Sequence, residues 1–287
     1  MGAYGLLLLT EVIEMVDLTE KLERLKTYLR GLESVAVAFS GGVDSTFLLK
    51  VAHDVLAEKA VAVTAESVFV PKSEIDATKK FCADAGIRQV VIAADVLAID
   101  GVRENPVDRC YLCKRGLFMQ LKEFATANGL AHVVEGSNMD DANDYRPGMK
   151  ALAELEIKSP LRIVRLYKSE IRELSKVMNL PTWDKASFAC LASRFVYGET
   201  ISPERLLMVE RAEELLRNRG FKQFRVRIHG KLARIEILPA DFTKLMEIRE
   251  EVAEKLKSYG FDYVALDLQG YRSGNMNPKN LRRDLKD

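Results

Sequence analysis

A short run of serine, glycine and aspartate is the part of the sequence best suited to chemistry. Its residues are Ser40, Gly41, Gly42, Val43, Asp44 and Ser45. Paired glycines let a backbone turn sharply and approach a ligand closely. Successive backbone N–H groups can then surround an anion, and a helix that begins there adds a favourable partial charge. The serines add hydroxyl donors, whereas Asp44 would repel bare phosphate and is assigned to Mg²⁺ or to orienting the loop. The segment therefore predicts a phosphate-binding loop.

The sequence on either side of this loop favours phosphate binding over an ordinary turn. The continuous apolar run 35–39 precedes it and is typical of a strand buried on both faces, and apolar residues at helical spacing follow. The alternative is a strand–turn–helix connection in which Asp44 or Ser45 only caps the helix. A cap does not require Ser-Gly-Gly before it. The loop also lacks the Gly-Lys-Ser/Thr of a Walker A loop and the third glycine of the Rossmann fingerprint.

Three of the four cysteines are spaced so that they could act together. Cys110 and Cys113 form a Cys-x-x-Cys pair and Cys190 follows later, whereas Cys82 falls on a predicted helix as a packed apolar residue. In a reducing compartment, clustered cysteines indicate metal, cluster or redox chemistry more than structural disulfides. A zinc site and a reversible disulfide are competing interpretations. No nearby histidine in the sequence offers a fourth zinc ligand.

Several charged residues lie where predicted strands end or close to a cysteine. Glu66 ends the second predicted strand and is a candidate for the ligand site beside the phosphate-binding loop. Asp140 and Asp141 follow another strand, at the edge where ligands collect in open α/β sheets, and either bind Mg²⁺ or cap the next helix. Arg194 follows Cys190 closely and could lower a thiolate pKa or neutralise phosphate; the alternative is a surface arginine.

The elements that must position these residues follow two patterns. Strands alternate with helices up to about residue 200, which predicts a parallel sheet covered by helices with right-handed crossovers. A helix at 203–218 and two strict alternations around Gly230-Lys231 then predict a hairpin with one solvated face. The fold class is therefore α/β with a smaller C-terminal α+β domain. We expect four segments. Residues 1–17 form an N-terminal extension that is a candidate for disorder, and residues 18–200 form the domain with the phosphate-binding loop. Residues 201–274 form the small domain, and residues 275–287 form a polar tail.

Length and composition limit the classes of function. A chain of 287 residues predicts two domains, and 48% hydrophobic and 30% charged residues are ordinary for a soluble globular protein. The net charge of +1 argues against a nucleic-acid partner. The leucine run 6–9 is too short to span a bilayer and lacks a basic flank, so we expect no membrane partner and a cytoplasmic location.

Further motifs carry a resemblance to a known family. The loop resembles the PP-loop of N-type ATP pyrophosphatases. Together with other segments, it is similar to the LarE family of ATP-dependent sulfur transferases over roughly residues 20–270. These segments are 105–114, 136–141, 144–148, 159–161, 189–194, 225–230 and 233–236. The Ala-Cys-Leu-Ala-Ser-Arg stretch at 189–194 and the Asp-Tyr-Arg-Pro-Gly stretch at 144–148 are the most specific.

The resemblance implies a fold, a reaction and a substrate. The fold would be the PP-loop sheet of the adenine nucleotide alpha hydrolase-like class. The enzyme would use ATP and Mg²⁺ to adenylylate the carboxylates of a small-molecule nucleotide, pyridinium-3,5-biscarboxylic acid mononucleotide, and convert them to thiocarboxylates. The product feeds the nickel-pincer cofactor of lactate racemase and related enzymes. Family members tend to form rings or larger assemblies, so we expect a homo-oligomer.

The resemblance also assigns roles to residues of the second domain. Arg225 and Arg227 would hold a phosphate of the substrate or of ATP, since guanidinium forks suit phosphate; on pattern alone a solvated strand face is equally expected. Glu213 and Glu236 match acidic positions that bind metal, whereas pattern alone places them on a helix surface and a strand surface. Cys190 would be catalytic, with Cys110 and Cys113 beside it.

The source of sulfur has two precedents in the family. In one variant the cysteine that matches Cys190 gives up its own sulfur and becomes dehydroalanine. In another, three cysteines hold a 4Fe-4S cluster that passes on a sulfide bound to its free iron. Three thiolates leave one iron of such a cluster open, and a chain that used Cys190 alone would have no evident need for Cys110 and Cys113. We therefore predict the cluster.

Two other functions compete with this interpretation. A tRNA thiolase shares the loop and often a Cys-x-x-Cys with a distant third cysteine, but the charge balance does not favour a nucleic-acid partner. A nucleotide-binding sensor without chemistry would use a different glycine spacing and need no cysteine trio. Pyrophosphate release in the presence of the dicarboxylate substrate separates an enzyme from such a sensor.

Overall fold

The structure, a computed structural model, describes residues 3–143, 148–186, 189–272 and 274–276, with the backbone alone for residues 3–16, 142 and 143. It divides into two compact units. The first consists of Met1–Glu66, Lys72–Ala94 and Lys114–Ser187. The second consists of Ser67–Pro71, Asp95–Cys113 and Phe188–Asp287.

The first unit contains the predicted parallel sheet. Its four strands lie in the order β3-β2-β1-β4, and every pairing is parallel. Each strand is a short apolar run rich in valine or alanine, which suits a sheet covered on both faces. The strands are β1 Val35–Ala38, β2 Ala60–Glu66, β3 Gln89–Ala93 and β4 His132–Val134.

Helices cover both faces of this sheet, which confirms the predicted α/β class. Val37 packs in one apolar layer with Leu29 and Phe47, whereas Val63 packs in a second layer with Phe118. Burying such side chains stabilises the unit by about 1.5–3 kcal/mol each. The helices are α1 Ala3–Arg30, α2 Val43–Leu56, α3 Lys72–Asp84, α4 Arg109–Ala127, α5 Gly148–Glu154, α6 Pro160–Ile163 and α7 Lys168–Val177.

The second unit contains a small mixed sheet with its own helices. Strands β5 and β6 form the predicted antiparallel hairpin, in which His229 pairs with Leu232 and Gly230 turns with φ 56°. Strand β7 pairs parallel to β6. The helix predicted at 203–218 is confirmed. The elements are α8 Pro203–Asn218, β5 Phe224–His229, β6 Leu232–Ile237, α9 Phe242–Glu247, α10 Arg249–Ser258 and β7 Tyr263–Leu266.

The prediction that one face of this small sheet is solvated is wrong for the hairpin, although Tyr263 of the edge strand β7 is exposed. Arg225 and Arg227 expose only 7% and 5% of their surface, and Glu236 exposes none. The charged residues of the hairpin do share one face, as their alternation requires. On that face Arg227 and Arg234 both pair with Glu236. The alternation in the sequence therefore predicts a shared face, but not whether solvent reaches it.

The two units do not follow the predicted boundary between residues 200 and 201. Two excursions that leave the ends of β2 and β3 belong to the second unit, namely Ser67–Pro71 and Asp95–Cys113. The reason is backbone hydrogen bonding. The N–H of Leu191 donates to the carbonyl oxygen of Phe69 at 2.9 Å, and the N–H of Ile201 donates to that of Arg103 at 2.8 Å. Such long-range pairing leaves no local mark in a sequence.

The predicted extension at 1–17 is helical from Ala3 onward, because α1 begins there. No proline or glycine interrupts residues 6–30, so the backbone can remain helical. Residues 277–287 of the predicted polar tail lie outside the described residues. Within the described part of the chain, no helix is both long enough and apolar enough to cross a membrane.

Candidate functional site

The predicted phosphate loop lies at the topological switch point of the parallel sheet. From β1 the chain continues to β2 and β3 on one side, whereas β4 lies on the other side. The connections after β1 and β4 therefore diverge at the carboxyl edge, where open α/β sheets bind ligands. The two connections are also close together: a Cβ atom added to Gly136 would lie 3.0 Å from the backbone nitrogen of Ser45.

The conformation of this loop requires its first glycine. Gly41 has φ +71°, a left-handed value that favours glycine. A Cβ atom there would lie 2.8 Å from Cγ2 of Thr78 in α3, so the clash adds to the backbone strain. The glycine thus lets the chain turn directly from β1 into α2.

The start of α2 presents donors rather than a side-chain cap. Gly42 is the N-cap residue and makes no side-chain cap hydrogen bond, so the alternative in which Asp44 or Ser45 caps the helix is wrong. The hydroxyl of Ser45 lies 3.1 Å from that of Ser40 and 3.2 Å from the carbonyl oxygen of Gly42, to which it donates. The first N–H groups of a helix have no intrahelical acceptor. Together these groups can bind an anion.

Asp44 is held by two side chains from distant parts of the first unit. The ammonium of Lys168 lies 2.5 Å from Oδ2 of Asp44, and the amide nitrogen of Asn138 donates to Oδ1 at 3.2 Å. The carboxylate at the loop is thus neutralised by a lysine that sequence reasoning missed. No local signal could have identified Lys168, because it lies 124 residues from Asp44.

A second lysine reaches the backbone of the loop. The ammonium of Lys185 donates to the carbonyl oxygen of Gly41 at 3.0 Å and to Oε2 of Glu74 at 2.6 Å. Lys185 lies 144 residues after Gly41 and was also missed. Two ammonium groups therefore lie beside a loop that has no cation of its own.

The other acidic residues predicted near this edge have separate roles. Glu66 ends β2, at the same edge as the loop, with an exposed side chain. Asp140 accepts a hydrogen bond from the backbone N–H of Lys168 at 2.7 Å, at the start of α7, and Asp141 accepts one from that of Asn138 at 2.9 Å. The structure therefore favours the helix-capping alternative for Asp140.

A buried carboxylate that the sequence did not indicate lies after β4. Glu135 is 6% exposed. Its Oε2 accepts a hydrogen bond from the hydroxyl of Ser137 at 2.7 Å, and its Oε1 accepts one from that of Ser159 at 2.5 Å. These bonds fix the connection that packs against the start of α2.

The three clustered cysteines all belong to the second unit. Cys110 and Cys113 are three residues apart in the first turns of α4, and therefore share a face. Cys190 precedes the short 3₁₀ turn Leu191–Arg194. All three are partly buried thiols rather than disulfides. Among the described residues, no group of three His, Cys, Asp or Glu side chains is arranged to hold a metal ion.

One arginine connects the two cysteine-bearing segments. Arg109 is 3% exposed. It donates to the side-chain oxygen of Asn105, to the carbonyl oxygen of Ala192 at 2.9 Å and to the sulfur of Cys110 at 3.7 Å. Burial alone would lower the pKa of Arg109, but the negative charge that Cys190 and Cys110 can carry raises it above its ordinary value. Both sulfurs therefore lie within electrostatic reach of one guanidinium.

Arg194 fixes the segment that carries Cys190 to α8. It is completely buried, so the surface alternative is wrong. Its guanidinium forms a bidentate ion pair with Glu213, with both N–O distances 2.8 Å, and donates to the carbonyl oxygens of Ala189 at 2.6 Å and Cys190 at 3.1 Å. The arginine thus acts on the backbone around Cys190.

The hairpin arginines line the same buried network. Arg227 pairs with Glu236 at 2.9 Å and donates to the carbonyl oxygen of Ser193 at 3.0 Å. Burial, and then the positive charge of Arg194, lowers the pKa of Arg225. Guanidinium groups suit an anion such as phosphate, and that role for Arg225 and Arg227 stays a prediction.

The two glutamates predicted to bind metal have arginine partners instead. Glu213 also accepts a hydrogen bond from the N–H of Val226 at 3.0 Å. Glu236 accepts one from the amide of Asn275 at 2.7 Å and pairs with Arg234 at 3.1 Å as well as with Arg227. Their placement on helix and strand surfaces, the alternative expectation, is wrong, since they are 1% and 0% exposed. Metal binding by them stays a prediction.

The structure thus gathers the predicted residues into two groups. In the first unit, the loop is joined by lysines that the sequence did not reveal, and Glu66 lies at the same sheet edge. In the second unit, Arg194 and Arg227 contact the backbone beside Cys190, and Arg109 contacts both Cys110 and the backbone of Ala192. Residues 144–147 of the predicted Asp-Tyr-Arg-Pro-Gly stretch lie outside the described residues. Cys82 is 2% exposed, which confirms that it is a packed residue.

Comparison with known proteins gives relatives along nearly the whole chain. The chain is 41% identical over 262 residues to an uncharacterized protein, slr1717, of Synechocystis, which covers 91% of this chain and 98% of that protein. It is 38% identical over 264 residues to the pyridinium-3,5-bisthiocarboxylic acid mononucleotide synthase of Lactiplantibacillus plantarum, which covers 92% of this chain and 96% of that protein. No protein-family model matches the chain.

A more distant similarity covers part of the chain. One subunit of the glutamine-hydrolysing GMP synthase of Pyrococcus horikoshii is 27% identical over 203 residues, 65% of this chain and 64% of that protein.

Proposed function

This chain belongs to the LarE family of pyridinium-3,5-bisthiocarboxylic acid mononucleotide synthases, and from that premise we propose that it is an ATP-dependent sulfurtransferase acting on pyridinium-3,5-biscarboxylic acid mononucleotide. The chain is an enzyme, as the synthase of this family is. The observation that carries the proposal is the similarity to a named synthase over 92% of the chain. The glycine-dependent loop at the sheet switch point supports the use of ATP.

The first proposed step activates a carboxylate. A carboxylate oxygen of the substrate attacks the α-phosphorus of ATP, the bond from that phosphorus to the bridging oxygen breaks, and pyrophosphate leaves. The loop and the first N–H groups of α2 suit the charge on the departing phosphates. Mg²⁺ would neutralise part of that charge when bound, and Asp44 is the proposed ligand. The carboxylate, now an acyl adenylate, carries AMP as a good leaving group.

The second proposed step replaces oxygen by sulfur. A sulfur nucleophile attacks the carbonyl carbon, the bond from carbon to the adenylate oxygen breaks, and AMP leaves. If hydrosulfide is the nucleophile, it loses its proton and the product is the thiocarboxylate. If Cys190 is the nucleophile, a thioester forms; loss of the Cα proton then breaks the Cβ–S bond and leaves dehydroalanine. Both routes balance without an external oxidant.

We propose the cluster route over the sacrificial one. What supports this route is that Cys110, Cys113 and Cys190 are thiols of a single unit, and that two of them share a helix face. A 4Fe-4S cluster on three thiolates would supply an open iron for exogenous sulfide. Arg109 and Arg194, through the carbonyl and sulfur contacts described above, orient the two segments that carry these thiols.

A single incubation tests the reaction. Anaerobically prepared protein is mixed with ATP, Mg²⁺, sulfide and the mononucleotide, and the small molecules are analysed by mass spectrometry. We expect AMP, pyrophosphate and a substrate in which sulfur has replaced carboxylate oxygen. A parallel incubation replaces the mononucleotide with tRNA, where no sulfur should be incorporated. Thiolated tRNA, with the mononucleotide unchanged, would instead support a tRNA thiolase.

Analysis of the protein after turnover separates the two sulfur sources. The cluster route predicts iron and acid-labile sulfide in the active preparation and an unchanged mass at Cys190. The sacrificial route predicts activity in iron-free protein and a Cys190 peptide lighter by the mass of hydrogen sulfide. We also propose that the enzyme is a homo-oligomer, which light scattering on a size-exclusion column tests.

A further inference from the structure

A buried asparagine and a buried arginine lie just before the clustered cysteines of α4. Asn105 is completely buried and Arg109 is 3% exposed. Polar side chains are rarely this buried unless they make hydrogen bonds. Asn105 also has φ 54°, a left-handed value that asparagine tolerates better than most side chains do. The turn that leads into α4 is therefore held in one particular conformation by its own polar contacts.

Asn105 joins this turn to the segment that follows Cys190. Its side-chain amide donates to the carbonyl oxygen of Val196 at 2.7 Å, and its backbone carbonyl oxygen accepts from the N–H of Gly198 at 2.9 Å. Its side-chain oxygen accepts a hydrogen bond from the guanidinium of Arg109. One asparagine thus contacts the distant segment and orients the arginine of its own segment.

Arg109 then connects the two segments next to their sulfur atoms. It donates to the carbonyl oxygen of Ala192 at 2.9 Å, in the turn that follows Cys190, and to the sulfur of Cys110 at 3.7 Å. A guanidinium carries several donors in a rigid plane, so one side chain can hold both segments at once. The ammonium of a lysine has the same charge but no such planar fork.

Among the described residues, no carboxylate pairs with Arg109. The buried Arg194, by contrast, pairs with Glu213. The polar partners of Arg109 are the side-chain oxygen of Asn105, a backbone carbonyl oxygen and a sulfur. Burying a guanidinium is costly unless its donors are satisfied. Contacts with the two cysteine-bearing segments, rather than an ion pair, therefore hold this arginine in place.

We propose that Arg109, oriented by Asn105, is a positioning residue that keeps the thiols of Cys110 and Cys190 together at one sulfur-transfer site. The inference rests on the proposed cluster route and adds the residues that assemble its site. The two thiols lie in segments far apart in the sequence, so a link between those segments is needed to keep them together. A displacement of reacting groups by about 1 Å costs up to about a hundredfold in rate.

Crosslinking of the metal-free, full-length protein tests the position of the two thiols. In a Cys113→Ser parent protein, Cys110 and Cys190 remain as partly exposed thiols, and Cys82 is buried. Dibromobimane becomes fluorescent when it joins two thiols, and peptide mass spectrometry identifies the joined cysteines. We expect the parent protein to form a link between Cys110 and Cys190.

Substitutions in this parent protein test the role of the arginine and the asparagine. Arg109→Lys keeps the charge but loses the planar fork, and should form about tenfold less of the link, the effect of losing a charge-assisted hydrogen bond. Asn105→Gly tolerates the left-handed backbone but lacks the amide, and should also form less of it. This second variant answers the question if the first does not fold. The control Arg249→Lys alters an exposed guanidinium of the same unit and should change nothing.

The two steps of the proposed reaction give a second readout, in protein that retains Cys113. Exchange of labelled pyrophosphate into ATP reports carboxylate activation, and thiocarboxylate reports sulfur transfer. In Arg109→Lys, the ratio of thiocarboxylate formation to pyrophosphate exchange should fall about tenfold to a hundredfold. A ratio equal to that of wild type would overturn the inference, because loss of folded protein lowers both rates together.

Monobromobimane, which reacts with one thiol at a time, separates position from reactivity. It should label Cys110 and Cys190 of Arg109→Lys at the rate of the parent protein. The inference is overturned if labelling by this reagent falls as much as crosslinking does, if the parent forms no link, or if both variants link the cysteines as well as the parent. Because crosslinking uses neither ATP nor iron, sulfur transfer by iron-free protein would overturn the cluster route alone and leave the measured link unchanged.

Discussion

At the scale of single residues, Gly41 and Cys82 are the clearest cases of environment determining chemistry. Gly41 combines a left-handed backbone with a neighbour at 2.8 Å from any added Cβ atom. The thiol of Cys82 is buried among apolar side chains of the first unit. The backbone conformation requires a glycine at position 41, and burial makes the thiol of Cys82 unreactive.

Substituting Gly41 by alanine should impair both stability and nucleotide binding. The left-handed φ and the contact with Cγ2 of Thr78 together predict a loss of about 2–4 kcal/mol in the free energy of unfolding. Gly129→Ala is the matched control, since Gly129 has φ +67° and no heavy atom within 4 Å of the added Cβ. Denaturant titration measures the free energy of unfolding of both variants. In a Gly41→Ala/Thr78→Ser double variant the methyl group is removed, and part of the stability should return.

Equal destabilisation by Gly41→Ala and Gly129→Ala would contradict this account of the loop. It would show that backbone strain alone, and not the close approach of α3, determines the effect.

Alkylation should distinguish Cys82 from the clustered cysteines. Burial raises the pKa of the Cys82 thiol to about 11, so at pH 8 almost none of it is the reactive thiolate. In metal-free native protein, iodoacetamide should label Cys110, Cys113 and Cys190 and leave Cys82 unmodified. In denaturant all four should react. Labelling of Cys82 in the native protein at the rate of the others would contradict its assignment as a core residue.

At the scale of elements, the hairpin β5–β6 and helix α8 show what a sequence pattern can and cannot reveal. Alternation correctly predicted the strands, the turn at Gly230 and the shared face of Arg225 and Arg227. It could not reveal that this face is closed, because an ion pair buried between elements has the same local pattern as a solvated one. The buried ion pair between Arg194 and Glu213 is such a contact between elements, and it joins residues 19 positions apart.

Removing the charge of Glu213 should destabilise the second unit. Its pair with Arg194 has side-chain exposures of 2% and 0%, so Glu213→Gln leaves a buried guanidinium without its counter-charge. We expect a loss of about 3–5 kcal/mol in unfolding free energy, measured by denaturant titration. Glu251→Gln is the matched control, because its pair with Arg219 is exposed on both sides and should contribute nothing measurable.

The same variant also tests the metal prediction for Glu213. If the carboxylate pairs with the arginine, as its contacts indicate, addition of a chelator to protein prepared without an iron–sulfur cluster should not change the stability of wild type or variant. A chelator that lowers the stability of wild type but not that of Glu213→Gln would contradict the ion-pair account and favour metal binding.

At the scale of the whole molecule, the sequence predicted the architecture of each unit better than the path of the chain between them. The parallel strands and the phosphate loop follow from local periodicity and glycine placement, and the structure confirms the strands where they were expected. The excursion 95–113, which carries Cys110 and Cys113, joins the second unit through long-range hydrogen bonds. Lys168 and Lys185 reach the loop in the same non-local way, so pairing across more than a hundred residues was not predictable.

Each unit holds the residues proposed for one of the two steps, carboxylate activation and sulfur transfer. The first holds the loop and its lysines, which suit the phosphates of ATP. The second holds the thiols and the buried arginine network, which suit sulfur and an anion. The central claim that links them is that ATP activates a carboxylate oxygen of the substrate before sulfur replaces it.

The fate of that oxygen tests the claim most directly. The mononucleotide is prepared with its carboxylates labelled with heavy oxygen, and the AMP released during thiocarboxylate formation is analysed by mass spectrometry. Attack of the carboxylate on the α-phosphorus, followed by cleavage of the carbon–oxygen bond, predicts that each AMP carries one heavy oxygen. AMP without the label, or label found in inorganic phosphate, would contradict adenylylation as the activating step.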